Sequence, residues 1–564
     1  MFYKAIIFDL DNTIYSYDTC HATALHQVLD YINIKTDIEF DIIKQTYDNI
    51  SRNLKNELRN TASSHNKSIY FKQLLEQLNL NVSMLSPIHD LYWDIFMDNM
   101  VCFDGVSEFI KWNKNMNVKI GILTDYETEF QIRKLEKLGL LDLVDVIITS
   151  EEVGIEKPSI HMFQTMLIRL KLYPEEVIMI GDNFEKDIQG ANNVGIFSYW
   201  LHKNNIINSN YTEFASFQIL HANFKEIEDE LNKLTHLSRR AGERFDLVQA
   251  GGGNSSVKIG DWMFIKASGV NMTQIDTKNG YVVVDNKRLC HDILTIENNT
   301  NAIQMDVTKY NVIGTKRASI ETFMHAILKK YTLHIHPIQV NRTLITTGAN
   351  DIIAELFPEA LIIDYLTPGI KLCIEIKNKY NNENIIFLIN HGVIITSDVH
   401  EDLYIILENI LNKFETYQEL DFNNYKYTNN LSQYMNSTFN VDNVSFLCQN
   451  ATIIKYFIHN PKLFKENISF PDALIYCGIK PLFVEKKLNE IKSFYNTYHE
   501  LPKIIVINDS IYINANSLSK CREIEDVLLS NLMILDSNYA KNYLSDNEIC
   551  FLNNWDAEKY RKLL

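Results

Sequence analysis

The stretch YKAIIFDLDNT, residues 3–13, decides the fold of the first part of the chain. Its apolar run has no polar break, which is typical of a strand buried on both faces of a parallel sheet. The run ends in Asp9 and Asp11, two carboxylates two residues apart. Open α/β sheets bind ligands outside the carboxyl ends of their strands, so this pair is a candidate ligand site. These residues alone leave open that the aspartates only cap the next turn.

Three later stretches also place polar groups after apolar segments or in loops. VKIGILT ends at Thr124, and Lys157 follows in a loop before a helical stretch. EEVIMIGD ends at Asp182, with Asp187 five residues later. Because the carboxyl ends of parallel strands meet at one edge of a sheet, we expect these side chains to lie close together.

In these four stretches the chain resembles the haloacid dehalogenase superfamily, over about residues 1–205. The resemblance implies a doubly wound parallel sheet and a Mg²⁺-dependent phosphohydrolase, with Asp9 as the nucleophile and Asp11 as the acid and base. It also implies that Thr124 and Lys157 bind the phosphoryl oxygens. The Mg²⁺ ligands that it implies are Asp9, Asp11, Asp182 and Asp187. Independently, a carboxylate that attacks an anionic phosphate needs nearby positive charge, which Mg²⁺ and Lys157 would supply.

Between the first two stretches, residues of about 15–100 have helical apolar spacing, as in ATALHQVLDYI. This insertion resembles the helical cap of the same superfamily. Because such caps close over the phosphate and select the leaving group, we expect a phosphorylated small-molecule substrate. Cys20 and His21 are candidates to contact that substrate, and the alternative for both is an ordinary surface or packing role.

A different pattern follows a polar, helical linker that we predict over residues 206–235. In RFDLVQAGGGNSS, Gly253 and Asn254 belong to a loop whose backbone amides can approach an anion closely, although a tight hairpin turn is the alternative. KASG adds a second small-residue corner, with Ser268 and Gly269. Both corners are therefore candidates for phosphate binding.

Residues 331–341, YTLHIHPIQVN, read as a strand that carries two histidines. Side chains alternate across a strand, so His334 and His336 share one face. A third histidine, His391, interrupts the apolar stretch IIFLINHGVIIT. Three neutral imidazoles that leave one position open would make a Zn²⁺ site, whereas a closed structural zinc site usually has four ligands including thiolates. A hydrogen-bonded group of core histidines is the alternative.

Upstream, RASIETFMHAILKK predicts a helix that Ser319 caps and that has Glu321 in its first turn. From about residue 236 to 430 the chain resembles the class II aldolase/adducin family, which implies an α/β domain. The resemblance implies Zn²⁺ bound by His334, His336 and His391, with Glu321 as the residue that transfers a proton. It also implies a substrate phosphate surrounded by Gly253, Asn254, Ser268, Gly269 and Ser319. Adducin-type members lack the zinc histidines, so their presence here favours chemistry over a scaffold role.

We predict that residues 431–564 are a C-terminal extension of the zinc domain. They resemble the aldolase part of proteins in which a rhamnulose-phosphate aldolase is fused to a short-chain dehydrogenase. No GxGxxG follows NDSIYINANS, so we expect no nicotinamide cofactor. Members of the aldolase family are often tetramers, and the resemblance therefore implies a homo-oligomer.

Composition excludes several classes of function. The net charge of −17 argues against a nucleic-acid partner, because phosphate binding needs clustered Lys and Arg. No apolar run approaches the roughly 20 residues of a membrane span, and the first residues do not resemble a signal peptide. Eight cysteines without a CxxC pair indicate reduced thiols and a cytoplasmic location.

The leading interpretation is a bifunctional enzyme with Mg²⁺ and Zn²⁺ as cofactors. It joins a zinc aldolase acting on a phosphorylated sugar or ketone to a sugar-phosphate phosphatase. One alternative pairs a methylthioribulose-phosphate-type dehydratase with an enolase-phosphatase. Another is a phosphatase whose aldolase-like domain is inactive and serves only to oligomerise it.

Overall fold

The computed structural model describes residues 3–202, 212–295, 305–314, 316–485 and 487–555. The chain divides into two compact units, Met1–Asp229 with Asn311–Thr315, and Glu230–Tyr310 with Lys316–Leu564. The boundary at residue 229 lies within a long helix, Phe217–Gly242. No helix in the described part of the chain combines the length and the apolar character that crossing a bilayer requires.

The first unit is built on a six-stranded parallel sheet. Its strands in chain order are β1 (Ala5–Phe8), β2 (Lys119–Thr124), β3 (Val146–Thr149), β4 (Val177–Gly181), β5 (Phe197–Leu201) and β6 (Thr212–Phe214). They lie in the order β3-β2-β1-β4-β5-β6, with β1 between β2 and β4. Every residue of β1 is buried, as the unbroken apolar run predicts. The predicted doubly wound parallel sheet is confirmed.

Helices cover this sheet and form an insertion after β1. The core helices are Val106–Asn115, Thr128–Lys137, Ser150–Val153, Ile160–Leu170 and Gly190–Asn192. The insertion contains the helices Tyr17–Thr36, Phe40–Glu57, Lys67–Gln77 and Leu85–Asp98. Side chains fix where two of them begin, because Ser16 accepts from the amide of Thr19 and Asn66 from that of Ile69. The insertion occupies the interval predicted for the cap.

The predicted linker, 206–235, is not simply an exposed connector. Its residues before 212 lie outside the described residues, and the rest contains β6 and much of the helix Phe217–Gly242. Leu220, Leu231 and Leu234 are buried along that helix. Their helical spacing gives the segment an apolar face that packs, so the polar residues are only its outer side.

The second unit contains a mixed sheet. Its strands are β7 (Asn254–Ile259), β8 (Trp262–Lys266) and β9 (Tyr281–Asp285), and, after β10 (Asn311–Ile313) of the first unit, β11 (Tyr331–Ile335), β12 (Leu361–Ile363), β13 (Ile385–Leu388) and β14 (Gly392–Ser397). Within this unit they lie in the order β9-β8-β7-β11-β14-β13-β12. Helices of this region are Asn286–Thr295, Thr322–Ala326, Ile338–Leu344, Ala349–Leu356, Ile370–Lys379, His400–Gln418 and Asn423–Phe439.

The helix predicted from Ser319 is shorter than expected and begins later. It spans Thr322–Ala326, so Glu321 is its N-cap residue and does not lie in its first turn. The amide of Glu321 donates to Ser319 Oγ at 3.3 Å, which closes a turn before the helix begins. This turn competes with the helix for the residues ahead of Thr322.

The last part of the unit has a smaller, four-stranded sheet. Its strands are β15 (Val444–Leu447), β16 (Leu482–Phe483), β17 (Ile504–Ile507) and β18 (Ser510–Ala515), in the order β15-β18-β17-β16. The accompanying helices are Ala451–His459, Pro471–Cys477, Glu490–Tyr498, Leu518–Leu535 and Asp546–Asn554. They bury a separate apolar core that includes Ile504, Ile513 and Leu528.

This small sheet repeats half of the larger one. In both half-sheets, the first pair of strands is antiparallel (β11 with β14, β15 with β18), the hairpin is antiparallel (β13 with β14, β17 with β18), and the last pair is parallel (β12 with β13, β16 with β17). Each half-sheet also contains a buried polar pair of side chains across its first pair of strands. Thr332 and Thr396 Oγ1 atoms lie 3.0 Å apart, and Ser445 Oγ donates to Asn514 Oδ1 at 2.6 Å.

Candidate active sites

Asp9 lies buried at the end of β1, where three polar groups meet. Lys157 Nζ donates to Asp9 Oδ1 at 2.6 Å, and Thr13 Oγ1 donates to Asp9 Oδ2 at 2.8 Å. Burial raises the pKa of Asp9 to about 7, with Lys157 opposing that rise. A nearby positive charge, such as that of Lys157, therefore favours the ionised form of Asp9.

Asp182 and Asp187 complete a group of three carboxylates with Asp9. One oxygen of each lies within 4.8 Å of the others. Burial and the charge of Asp9 together raise the pKa of Asp182 to about 6. Lys157 Nζ also donates to Asp187 Oδ1 at 2.7 Å. Three close carboxylate oxygens at the edge of a sheet fit a hard divalent cation such as Mg²⁺, because oxygen ligands are those it prefers.

Gly181, the last residue of β4, makes room for this group. A Cβ atom added there would lie 2.4 Å from Asp187 Oδ2 and 2.5 Å from Asp187 Cβ. We expect Gly181→Ala to displace Asp187, to lower phosphate-ester hydrolysis by at least tenfold and to destabilise the protein by about 1–3 kcal/mol. Steady-state hydrolysis and thermal unfolding measure the two effects. Gly348→Ala is the control, because it adds a methyl group where no atom lies within 4 Å at a glycine that, like Gly181, has no positive φ.

Asp11 has a different environment from the one predicted for a metal ligand. Lys134 Nζ, buried on the helix Thr128–Lys137, donates to its two carboxylate oxygens at 2.8 and 3.1 Å, and Tyr15 OH donates to Oδ1. Burial would raise the pKa of Asp11, but Lys134 and these hydrogen bonds lower it overall. The Asp11 carboxylate is therefore not part of the cluster of Asp9, Asp182 and Asp187, because Lys134 holds it in a different position. Its ionised form can accept a proton from water.

Of the remaining predicted residues, Thr124, Lys157 and His21 line one cavity of about 330 Å³ with Asp9. Thr124 is buried there, and Gln131 Nε2 donates to its hydroxyl. His21 lines the cavity and its Nδ1 lies 2.7 Å from Tyr92 OH, whereas Cys20 is buried and donates to the carbonyl of Asn99. Cys20 thus has the packing role.

Sequence reasoning missed the cap side chains that line this cavity. They are Tyr17, Asp18, Ser51, Lys55, His65 and Lys67. No motif marks them, because they come from separate helices of the insertion and from the segment between two of them. A lysine on an otherwise buried helix face, as at Lys67, is the one signal that the sequence offers.

In the second unit, three histidines meet beside β11. His334 pairs in register with Asn254 of β7 and Ile394 of β14, and His336 directly follows the strand. The Nε2 atoms of His334 and His336 are 3.1 Å apart. The ring centroid of His391 lies 4.8 Å from that of His334 and 5.1 Å from that of His336. Two nitrogen ligands about 2.05 Å from a tetrahedral zinc are separated by about 3.3 Å, so the spacing fits one shared ion.

Hydrogen bonding of His334 favours the tautomer that a metal requires. His334 Nδ1 lies 3.2 Å from the carbonyl oxygen of Val393, which can only accept. The proton is therefore on Nδ1, and the Nε2 lone pair faces the other histidines. Burial, together with His334 and His391, lowers the pKa of His336 to about 3, so that His336 is neutral.

Glu321 lies against the same nitrogens. Its Oε1 is 3.5 Å from His334 Nε2 and 3.4 Å from His391 Nε2. Asn254 Nδ2 donates to its other oxygen and lies 3.4 Å from Ser319 Oγ. Burial would raise the pKa of Glu321, but His334 and His391 in their protonated forms lower it well below its usual value. The structure thus brings Glu321, Asn254 and Ser319 to the histidines.

The two loops predicted to bind a substrate phosphate differ in their surroundings. Gly253 has a φ of 71° and packs so closely that a Cβ would lie 2.8 Å from Met272 Sδ. Ser268 and Gly269 lie on an exposed turn, where the amide of Ser268 already donates to the carbonyl of Arg317. That amide is therefore not available to a phosphate in this arrangement.

One buried lysine beside these corners was not predicted. Lys266 Nζ donates to the carbonyls of Gly251 at 3.3 Å and Val270 at 2.7 Å. It thereby links the glycine-rich loop to the turn that follows β8. The sequence signal was a lysine at the end of an apolar strand, immediately before the small residues of KASG.

Known proteins resemble each unit separately. The first part is 36% identical, over 34% of this chain and 82% of the relative, to a ribulose-1,5-bisphosphate 5-phosphatase of Halopiger xanaduensis. It is 26% identical, over 38% of this chain and 92% of the relative, to a glyceraldehyde 3-phosphate phosphatase of Methanocaldococcus jannaschii. A solved N-terminal class II aldolase domain of a conserved protein from Thermoplasma acidophilum is 27% identical, with a TM-score of 0.31, over 33% of this chain and 93% of that chain.

Two family models match along the chain. Residues 6–201 match the haloacid dehalogenase-like hydrolases, and residues 232–417 match the class II aldolase and adducin N-terminal domain. The two intervals do not overlap, and the predicted resemblances of these two parts of the chain to the haloacid dehalogenase and class II aldolase/adducin families are confirmed. The chain therefore belongs to the haloacid dehalogenase-like hydrolases through its N-terminal part, to which a class II aldolase and adducin domain is fused.

Proposed function

We propose that the chain is a bifunctional enzyme: its first unit is a Mg²⁺-dependent phosphatase of a small sugar phosphate, and its second is a Zn²⁺-dependent aldolase of a phosphorylated sugar or ketone. The observation that carries the aldolase half is the cluster of His334, His336 and His391, with Glu321 beside the Nε2 atoms of His334 and His391. The phosphatase half is supported by the cluster of Asp9, Asp182 and Asp187 and by relatives that are named as phosphatases.

In the phosphatase half, each described residue has a defined task. Asp9 attacks phosphorus, Lys157 offsets the negative charge of the phosphoryl oxygens, and Thr13 holds the second oxygen of Asp9 in place. The bond from phosphorus to the sugar oxygen breaks as Asp9 attacks, and Asp11 in its protonated form gives the leaving oxygen a proton. Ionised Asp11 then takes a proton from the water that hydrolyses the phosphorylated Asp9. Bound Mg²⁺ at Asp9, Asp182 and Asp187 supplies the positive charge that lets these carboxylates remain ionised.

In the aldolase half, Glu321 moves a proton at the carbon next to the substrate carbonyl. Asn254 orients Glu321 through its amide, and Ser319 holds the turn that presents it. Bound Zn²⁺ at His334, His336 and His391 supplies Lewis acidity at the substrate oxygens. The same residues suit removal of water from a phosphorylated ketose, so a dehydratase remains the second outcome that the assay must distinguish.

The test is an assay of the purified full chain against phosphorylated sugars. Phosphate release with Mg²⁺ measures the first activity. Aldehyde formation from a ketose phosphate, measured with Zn²⁺ and by coupled reduction, measures the second, while mass loss of one water identifies a dehydratase. Absence of both carbonyl reactions, together with no bound zinc, would leave only a phosphatase with an inactive second unit.

Glu321→Gln separates proton transfer from metal binding. We expect this variant to keep its zinc, because the three imidazoles remain, and to lose carbon–carbon lyase turnover by about 10²–10⁴-fold. Zinc content and lyase rate are measured on the same preparation, and Glu401→Gln, an exposed glutamate of the same unit, is the control. Loss of zinc together with turnover would instead assign Glu321 as a fourth ligand.

A further inference from the structure

Lys67 is a buried lysine of the first unit that the proposed chemistry does not use. It is the first residue of the helix Lys67–Gln77, is 4% exposed and lines the cavity that contains Asp9. Its Nζ lies over the ring of Tyr70 at 4.9 Å and that of Tyr92 at 5.8 Å. Within the described part of the chain, no carboxylate forms an ion pair with it.

Two other buried lysines of this unit are paired. Lys157, which lines the cavity, contacts Asp9 and Asp187, and Lys134 contacts Asp11, whose side chain lines it. Their carboxylate partners offset the cost of burying the ammonium group, whereas Lys67 has only the faces of two aromatic rings. Lys67 therefore differs from its neighbours by lacking an anion.

The surroundings make this lack costly. Burial, together with the charges of Lys55 and Lys134, lowers the pKa of Lys67 to about 7, although Asp11 and Glu127 act in the opposite direction. The position at the N-terminus of a helix also disfavours a cation. A methionine there would pack against Tyr70 and Tyr92 without such a cost, so a role in stability does not account for the lysine.

We propose that Lys67, with Lys55 beside it at the cavity, binds a second anionic group on the substrate of the first unit, at the end away from the phosphate that is hydrolysed. This rests on the proposed phosphatase activity and narrows its substrate class to sugar phosphates with a further phosphate or a carboxylate. An anionic group supplies the partner that Lys67 lacks and forms a charge-assisted hydrogen bond with it.

The test compares substrates that differ by one anionic group. Phosphate release is measured for ribulose 1,5-bisphosphate against ribulose 5-phosphate, and for 3-phosphoglycerate against glycerol 3-phosphate. The wild type should prefer the doubly anionic member of at least one pair, and the pair shows whether phosphate or carboxylate is recognised. In Lys67→Met, kcat/KM for that member should fall by about 10- to 100-fold, mainly through KM, with little change for the other.

Lys72→Met is the matched control, because Lys72 lies on the same helix, is half exposed and pairs with Glu76. It should leave all four rates unchanged. Thermal unfolding gives an independent readout, since Lys67→Met should unfold at or above the wild-type temperature once the unpaired charge is gone.

Two results would overturn the inference: a wild type without preference between the members of both pairs, or an equal loss on all substrates in Lys67→Met. Failure of the phosphatase proposal is recognised separately. In that case the wild type releases no phosphate from any ester, including p-nitrophenyl phosphate, and both proposals fall together.

Discussion

Asp9→Asn is expected to abolish phosphate release from every substrate, by roughly 10⁴-fold or more, while the lyase activity stays at the wild-type level. An amide has nearly the same shape as the carboxylate but cannot act as the anionic nucleophile. Lys157 keeps its contact with Asp187, so the local packing has no reason to collapse. Rates of phosphate release and of carbonyl cleavage on one preparation measure the separation.

Stability distinguishes this result from misfolding. Burial raises the pKa of Asp9 above its usual value, so the charged carboxylate costs folding free energy at pH values above that raised pKa. Replacing it with a neutral amide should therefore leave the unfolding temperature unchanged or higher. Asp98→Asn, at an exposed aspartate paired with Lys137, is the control for loss of a carboxylate. Wild-type phosphatase rates in Asp9→Asn would exclude Asp9 as the nucleophile.

Much of the first unit could be predicted from short-range patterns. An unbroken apolar run such as AIIF is compatible with few environments, and the polar groups after β1, β2 and β4 meet because parallel neighbours align their carboxyl ends. The side-chain direction of Asp11 could not be predicted in this way. It depends on Lys134, more than a hundred residues away, whose ammonium group lies against aromatic rings of the cap such as those of Tyr17 and Phe96.

The histidine site was predictable for a similar reason. His334 and His336 share a face through the period of two, which is a local rule, and His391 was predicted because it interrupts an apolar stretch. The position of Glu321 just ahead of its helix was not predictable, because the turn made by Ser319 competes with helical geometry over a few residues. Propensity alone does not decide between those two.

The repeated half-sheet had a signal in the sequence that went unused. IIFLINHGVIITS, 385–397, and IIVINDSIYINA, 504–515, have the same order of an apolar strand, a turn with Asn at positive φ, and a second apolar strand. By the pairing of β11 with β14 and of β15 with β18, His334 corresponds to Leu447. Two residues further along each segment, His336 corresponds to Gln449. The copy therefore lacks metal ligands at these two positions.

His336→Ala is expected to lose most bound zinc and the carbon–carbon lyase activity together. The Nε2 atoms of His334 and His336 lie 3.1 Å apart, so removing either leaves two imidazoles, which is one fewer than an open catalytic zinc site uses. Phosphatase activity should remain, because Asp9 and its partners belong to the other compact unit with its own core. Metal content per chain and both activities are measured together.

The stoichiometry makes this prediction stricter. Since Leu447 and Gln449 replace the first two histidines in the repeated half-sheet, the wild type should bind one zinc in its second unit and His336→Ala close to none. His400→Ala is the matched control, because His400 is buried in the same unit and lies 3.2 Å from the carbonyl of Lys233, away from the cluster. It should keep both zinc and lyase activity. Full zinc in His336→Ala would mean that the three rings form a hydrogen-bonded core group, since the 3.1 Å separation is also that of a hydrogen bond.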